Sequence, residues 1–459
     1  MNERTLQTQY TPLALYAIVY VFTCLLGALI LLWHLQPFVA LFELFNGIAV
    51  PTLVTGEIAT NLRLLICAPL LFAVGYVLGM TIPVPKGPRR LAERLVANVN
   101  LEPPWWLPQV FFYVLTLVAF LTLARAGSFS RISSWTNYYE FVDARGELFR
   151  HISLIGFVNI YLLVPTSAAW AVISAPRLNG MFWRMVRWNP LVMALFVALL
   201  LFQKKPAVVT LVIVVTALIL RHGPGDSRLV RRSVIAGSLA VLTVYFAAVV
   251  APAYSSVSTS LENNVQGRYR IESAPAIVAY AMLAPLTRTA APALYYPRVY
   301  PRHHAFYGLD VGQDLLGFGQ FPDDNIVVWN AMNPGLAGTS AAPFQFSFYS
   351  QVGLKWTLMA SALIGTMLAL LWRVALAYVW PSIWRSLLGS LTILLSIYLG
   401  IESVRNSLTV SYGVGWGILF VVCAALATAF VNKIGAIRAA RRVPQPVNAG
   451  ASTTWRRSQ

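Results

Sequence analysis

Long runs of consecutive apolar residues, broken by short clusters of charge, proline and glycine, organise this chain from residue 13 to residue 430. They show neither the alternation of a half-buried strand nor the one-sided stripe of a soluble amphipathic helix. A run of about 20 apolar residues matches instead a helix crossing the hydrocarbon core of a bilayer. Such runs predict spans near 13–33, 62–82, 106–124, 152–175, 190–203, 207–220, 234–252, 352–372, 387–401 and 411–430. The expected fold is all-α: a polytopic integral membrane protein of about ten transmembrane helices, with both termini on one side.

The pattern is interrupted once on a large scale. Between spans seven and eight about a hundred residues turn polar and carry five arginines, two histidines and six carboxylates. The chain therefore divides into a transmembrane bundle of spans one to seven (1–252), a large loop (253–351), spans eight to ten (352–430) and a basic tail expected to be disordered (431–459). Within the loop, the apolar patch from Ala274 to Leu286 reads as a helix lying on the membrane surface, and Pro297 and Pro301 are expected to deny a regular helix to the stretch around them. A shorter apolar run, Phe38 to Val50, is too short to span and reads as interfacial or re-entrant.

Composition agrees with the pattern. Hydrophobic residues make up 58% of the 459 positions and charged residues only 11%, which excludes an ordinary soluble domain. A net charge of +18 is of a size that nucleic-acid binding calls for, but its placement argues against that. Twenty of the 34 lysines and arginines, against four acids, fall in the tails and alternate loops on the side of the N-terminus. That is the positive-inside pattern; it predicts cytoplasmic termini and puts the long loop on the outer face. The first apolar run is long enough to span and no small-residue cleavage site follows it, so it reads as a retained helix. Cys24, Cys67 and Cys423 all fall inside predicted spans, which gives neither a disulfide framework nor a thiolate metal site. No cofactor is expected.

Candidate chemistry gathers at the outer ends of the spans. Gln203, Lys204, Lys205 and Pro206 separate two apolar runs of 12 and 14 residues, each short of a full span. Two lysines set slightly below a membrane surface would bind an anion strongly, or else snorkel to the headgroups. Arg63, Lys355 and Arg405 also lie at predicted outer ends, where they bind an anion or anchor their spans. In the loop, Arg268 and Arg270 precede the apolar patch and Arg298 and Arg302 follow it. Their planar forks suit a diphosphate, the alternative being pairs with Glu262, Glu272 or Asp310. General-base candidates are His303, His304, Asp310, Asp314, Asp323 and Asp324. The alternative for Asp323 and Asp324 is to hold a divalent metal or to cap a turn or helix, and Tyr295, Tyr296, Tyr300, Tyr307 and Trp329 either stack on sugar rings or form an ordinary interfacial belt.

Many spans with short loops, a basic Lys204-Lys205-Pro206 break, a large outer loop, and a loop exit reading GTSAAPFQFSFYSQVGLKW resemble bacterial O-antigen and oligosaccharide repeat-unit polymerases of the Wzy type. The exit positions that carry the likeness are Thr339, Ser340, Phe348, Tyr349 and Gly353. The resemblance implies a membrane glycosyltransferase that polymerises glycan repeat units carried on polyprenyl diphosphate at the periplasmic face of the inner membrane. Lys204, Lys205, Arg268, Arg270, Arg298, Arg302 and Arg405 would bind the diphosphate, and His303, His304 or Asp310 would serve as base. A chain-length regulator is a possible partner protein. The same features fit an O-antigen ligase. A glycosyltransferase using a polyprenyl monophosphate sugar is disfavoured, because only Glu43 and Glu57 supply acid in the first outer loop. A flippase or transporter is disfavoured by the lack of mid-depth charge in the spans.

Overall fold

The computed structural model describes residues 10–35, 39, 53–83, 100–136, 144, 147–148, 150–176, 178, 180–201, 204–222, 289–308, 324–333, 341–377, 382–402 and 413–442. Among the described residues the regular structure is all helix, with no strand. The helices are α1 (Thr11–Leu32), α2 (Thr55–Thr81), α3 (Trp106–Arg125), α4 (Leu154–Ser174), α5 (Met181–Leu200), α6 (Lys204–His222), α7 (Ala290–Val299), α8 (Asp324–Met332), α9 (Phe344–Ala377), α10 (Ser382–Leu399) and α11 (Val414–Arg442). Seven of them (α1 to α5, α9 and α11) are long and apolar enough to cross a membrane, and α10 is a shorter apolar helix. Their outward faces are apolar, as Leu70, Val74, Leu117, Leu121, Leu363, Leu426 and Phe430 show, each more than half exposed. That is the surface a bilayer requires and water rejects. Helix α4 is buried on nearly every side and forms the centre of the bundle.

Neighbouring contacts fix the direction of each helix. Tyr10 meets Tyr76 and Tyr20 reaches Leu65, so α1 and α2 are antiparallel. Lys205 pairs with Glu402 at one end while Leu220 lies beside Gly389 at the other, so α6 and α10 are antiparallel too. α2 and α9 are parallel and unusually close. A β-carbon on Gly75 would stand 1.9 Å from the Ala362 carbonyl oxygen, and one on Gly365 2.0 Å from that of Phe72. Small residues at Gly75, Gly79, Gly365 and Ala369 permit this approach, and the Thr366 hydroxyl donates across it to the Gly75 carbonyl at 2.9 Å. Arg373 donates to the carbonyls of Gly79 and Ile82, closing the end of α2.

Two of the helix prolines are answered from neighbouring helices. Pro69 has no N–H for the Leu65 carbonyl four residues back, and the Tyr20 hydroxyl donates to that carbonyl at 2.8 Å. Pro190 likewise abandons Val186, whose carbonyl accepts from the Gln109 amide at 3.4 Å. Wider π turns occur at 21–25, 63–67 and 159–163, the last two just before Pro69 and Pro165.

Several sequence expectations change. α5 and α6 are 20 and 19 residues long rather than two short runs, because α5 starts at Gly180's cap and takes in Arg184, Arg187 and Pro190, while α6 takes in both lysines. α2 begins at Thr55, so Arg63 lies inside the helix rather than at its head. α9 begins at Phe344 and bends at Gly353 (φ 75°, ψ 178°), so Lys355 lies just past the bend. The stretch expected to be irregular around Pro297 is helix α7. Pro292 sits in its first turn, where no intrahelical donor is needed, and the loss of one bond at Pro297 is offset by burial of Ala290, Ala291, Ala293, Leu294, Tyr296 and Val299. The helix ends at Val299 because Tyr300, preceding Pro301, is held extended. The interfacial run at Phe38–Val50 (Val39 apart), the seventh span at 234–252, the apolar patch at Ala274–Leu286 and the tail beyond residue 442 lie outside the described residues.

Candidate functional site

The end of the bundle where α1 finishes and α2 begins collects the polar groups. α7 lies within the bundle rather than above it. The Thr289 hydroxyl, at its start, donates to the carbonyl of Thr23, near the middle of α1, and the Asn61 amide of α2 donates to the Leu294 carbonyl at 3.3 Å. From that depth α7 climbs along α2 and delivers the turn 300–308 beside the first residues of α2.

There Arg302 Nη1 meets Glu57 Oε1 at 2.7 Å. The other Glu57 oxygen accepts from the Val54 backbone N–H at 3.1 Å, so one carboxylate both caps α2 and holds the arginine. The pair is lopsided: the Glu57 side chain is 6% exposed and that of Arg302 56%. The guanidinium thus keeps a broad solvent-facing edge. His303 and His304 follow directly. His303 is exposed. His304 is half-buried, with its ring centroid 5.4 Å from that of Tyr300 and 4.9 Å from that of Tyr307. Its Nδ1 lies 2.8 Å from the Ala305 carbonyl oxygen. A carbonyl only accepts, so Nδ1 carries the proton of the neutral ring and Nε2 holds the lone pair. Geometry therefore sets His304 apart from His303 as a group able to take a proton.

The turn rests on the bend of α9. Tyr307 and Gly308 donate their backbone N–H groups to the carbonyls of Ser350 and Gln351 at 3.2 and 2.8 Å, just before Gly353 leaves helical geometry. Phe306 lies over Gly353, 3.4 Å from where a β-carbon would stand, and Tyr349 donates its hydroxyl to the Tyr300 carbonyl at 3.1 Å. Below the turn, Tyr296 donates to Asp324 Oδ2 at 2.7 Å and Ser350 to the same oxygen at 3.4 Å. Asp324, the first residue of α8, is 5% exposed and acts as a buried tie between α7, α8 and α9. Arg298 is half-buried on α7.

A second cation–carboxylate pair lies beside the middle of α1. Lys205 Nζ contacts Glu402 Oε1 at 2.7 Å and stands 4.9 Å from the centroid of the Tyr398 ring. Gly400, two residues before Glu402, packs on Val19 and Tyr20, a turn or less along α1 from the carbonyl that receives Thr289. Lys204 occupies the first position of α6. Arg268, Arg270, Asp310, Asp314, Asp323, Arg405, Thr339 and Ser340 lie outside the described residues.

Sequence reasoning missed Glu57 and Glu402 as partners. Each is a lone acid beside a long apolar run, and a lone acid there calls for a cation. Glu57 also stands three residues after Val54, at the position from which a glutamate reaches back to a helix start. Chemically, the turn offers a cation held against a carboxylate and one imidazole whose Nδ1 faces a carbonyl.

Searches against known protein families, curated proteins and solved structures gave no match.

Proposed function

We propose that this protein is a glycosyltransferase of the bacterial inner membrane that joins oligosaccharide units carried on polyprenyl diphosphate, its site facing the periplasm. The observation that carries the reading is the turn 302–304. An arginine with a solvent-facing edge and an imidazole with a free Nε2 stand two residues apart at the mouth of an apolar bundle. The charge asymmetry of the short loops and the resemblance to repeat-unit polymerases support it.

In the reaction, His304 Nε2 takes the proton of an acceptor sugar hydroxyl. The oxygen bonds to the anomeric carbon of the donor, and the bond from that carbon to the diphosphate breaks. Polyprenyl diphosphate departs with the electron pair. Arg302 stabilises the departing charge, exchanging part of its contact with Glu57 for phosphate oxygens. A well-placed donor of this kind contributes on the order of 3 kcal/mol to such a step. The lipid tail lies against the apolar outer faces of the helices.

The test is a reconstituted assay with purified lipid-diphosphate repeat units in vesicles. Chain growth is expected, with His304→Ala losing about a hundredfold or more in rate and His303→Ala retaining most of it. Movement of the glycan across the vesicle without chain growth would overturn the reading in favour of a transporter. Transfer only to a lipid A core acceptor would make it a ligase.

A further inference from the structure

Helix α4, at the centre of the bundle, carries three buried polar groups that find no hydrogen-bond partner among the described residues: the Thr166 hydroxyl, the Trp170 indole N–H and the Ser174 hydroxyl. They recur at every fourth position and so share one face of the helix, over a length of about 12 Å. At its far end the stripe meets a cavity of about 280 Å³ between the ends of α4 and α6, the first half of α5 and the start of α10, with Glu102, Ser174 and Ile383 in its lining. We propose that a file of internal waters occupies this stripe, entering from the cavity and running past Ser174 and Trp170 to Thr166. The inference is independent of the proposed glycosyl transfer.

The two hydroxyls depart from the habit of this bundle. Serine and threonine inside a helix can satisfy themselves by donating to a carbonyl three or four residues back. Thr122, Thr210, Thr357 and Thr428 do so at 2.8–2.9 Å, as do Ser167, Ser361 and Ser390. Thr166 and Ser174 do not. The two central tryptophans differ in the same way. Trp384 donates its Nε1–H to the Leu101 carbonyl at 2.8 Å, while Trp170, equally buried and with its ring centroid only 5.3 Å away, donates to no described residue. Each bare buried group costs stability, and three in a row call for a partner that both donates and accepts.

Continuity with the cavity identifies that partner as water. Leu101 and Trp384 are the chain neighbours of Glu102 and Ile383 in the lining, so the Trp170 ring lies just beyond the cavity wall. A water needs only about 10–15 Å³ of such space and two or more polar partners, and the cavity offers both through Glu102 and Ser174. The three groups of the stripe are neutral, so nothing in it balances the charge of an ion. A lipid chain would leave them as bare as before. Water accepts from the indole N–H and bonds to the hydroxyls in either sense.

The experiment irradiates the full chain in phosphatidylcholine nanodiscs with a synchrotron beam, which makes hydroxyl radicals from waters where they sit, and maps oxidised side chains by mass spectrometry. A scavenger confined to the bulk removes radicals formed outside. Trp170 is expected to oxidise severalfold faster than Phe72 and Tyr76, which are equally buried, and to keep that labelling with the scavenger present. Labelling no faster than theirs, or lost with the scavenger, would overturn the proposal. Thermal unfolding gives a second readout, of opposite sign in a wet and a dry stripe. Thr166→Val and Ser174→Ala each take a partner from a bound water and should lower the midpoint; in a dry stripe each removes a bare hydroxyl and raises it. A raised midpoint in both variants would likewise overturn the proposal, and the wild-type labelling keeps the test decisive if a variant fails to fold.

Discussion

Replacing Gly365 by alanine adds one methyl group, yet it should loosen the bundle measurably. The new β-carbon would stand 2.0 Å from the Phe72 carbonyl oxygen, which is backbone and unable to swing aside. Carbon and carbonyl oxygen ordinarily approach to about 3.3 Å, so α2 and α9 must part by on the order of 1 Å or more. Parting stretches the 2.9 Å bond from Thr366 to Gly75, an interhelical bond worth about 0.6 kcal/mol. Overpacking of a tight interface costs roughly a further 1–3 kcal/mol. The expected loss is therefore about 2–3 kcal/mol. Titrating the purified protein in mixed micelles with a denaturing detergent, followed by circular dichroism, measures it. Gly435→Ala is the control: nothing lies within 4 Å of the added carbon, so it should be neutral or stabilising by up to about 1 kcal/mol. If Gly365→Ala proved as stable as wild type, or as Gly435→Ala, the close parallel packing of α2 and α9 would be wrong.

Three further outcomes are expected. Tyr20→Phe orphans the Leu65 carbonyl and should cost about 1–3 kcal/mol, but much less in a Pro69→Ala background, where the helix supplies its own donor; a double-mutant cycle in the same unfolding assay reads the coupling, and additive losses would contradict the account. Glu57→Ala removes both the cap of α2 and the grip on Arg302; it should lower stability by about 1 kcal/mol for the cap and raise the KM of the reconstituted reaction more than it lowers kcat, whereas unchanged kinetics would detach Glu57 from the site. The Arg131–Glu147 pair, 2.6 Å apart, holds the Glu147 carboxyl below its ordinary range through the arginine's hydrogen bond and charge. A depressed folded-state value means its small stabilisation is present above about pH 4.3 and fades as pH falls further; the midpoint difference between wild type and Glu147→Gln should vanish in acid, and one constant from pH 7 to pH 3 would refute it.

Much of this architecture could be read in the chain because a span needs only a local apolar run. The runs at 106–124 and 152–175 lie within a residue or two of α3 and α4. The errors came where helices extend past the apolar run. Arg184, Arg187 and Pro190 hid the first half of α5, since nothing near them in sequence shows that Gln109 serves the carbonyl Pro190 leaves open. Pro297 hid α7 for the same reason: burial among α1 and α2 outweighs a local rule. At the site, single residues were legible and pairings were not. Lys205 stood out as a cation between apolar runs, but its partner Glu402 lies 197 residues away, and Arg302 is 245 residues from Glu57. His304 could be separated from His303 only by the position of the Ala305 carbonyl and the two tyrosine rings.

The seating of α7 against Thr23 and Asn61 also bears on how the protein is made. When α1 and α2 leave the ribosome, the residues that fill the slot between them are more than two hundred positions from being translated. At ordinary elongation rates of about 5–20 residues per second the slot stays empty for roughly 10–40 seconds. Through that interval the Thr23 carbonyl and the Asn61 amide face a gap within the bilayer, so the first helices form a waiting half-bundle. Its completion by residues 289–299 is a late, long-range step of assembly, and the turn 300–308 can reach its position only after that step.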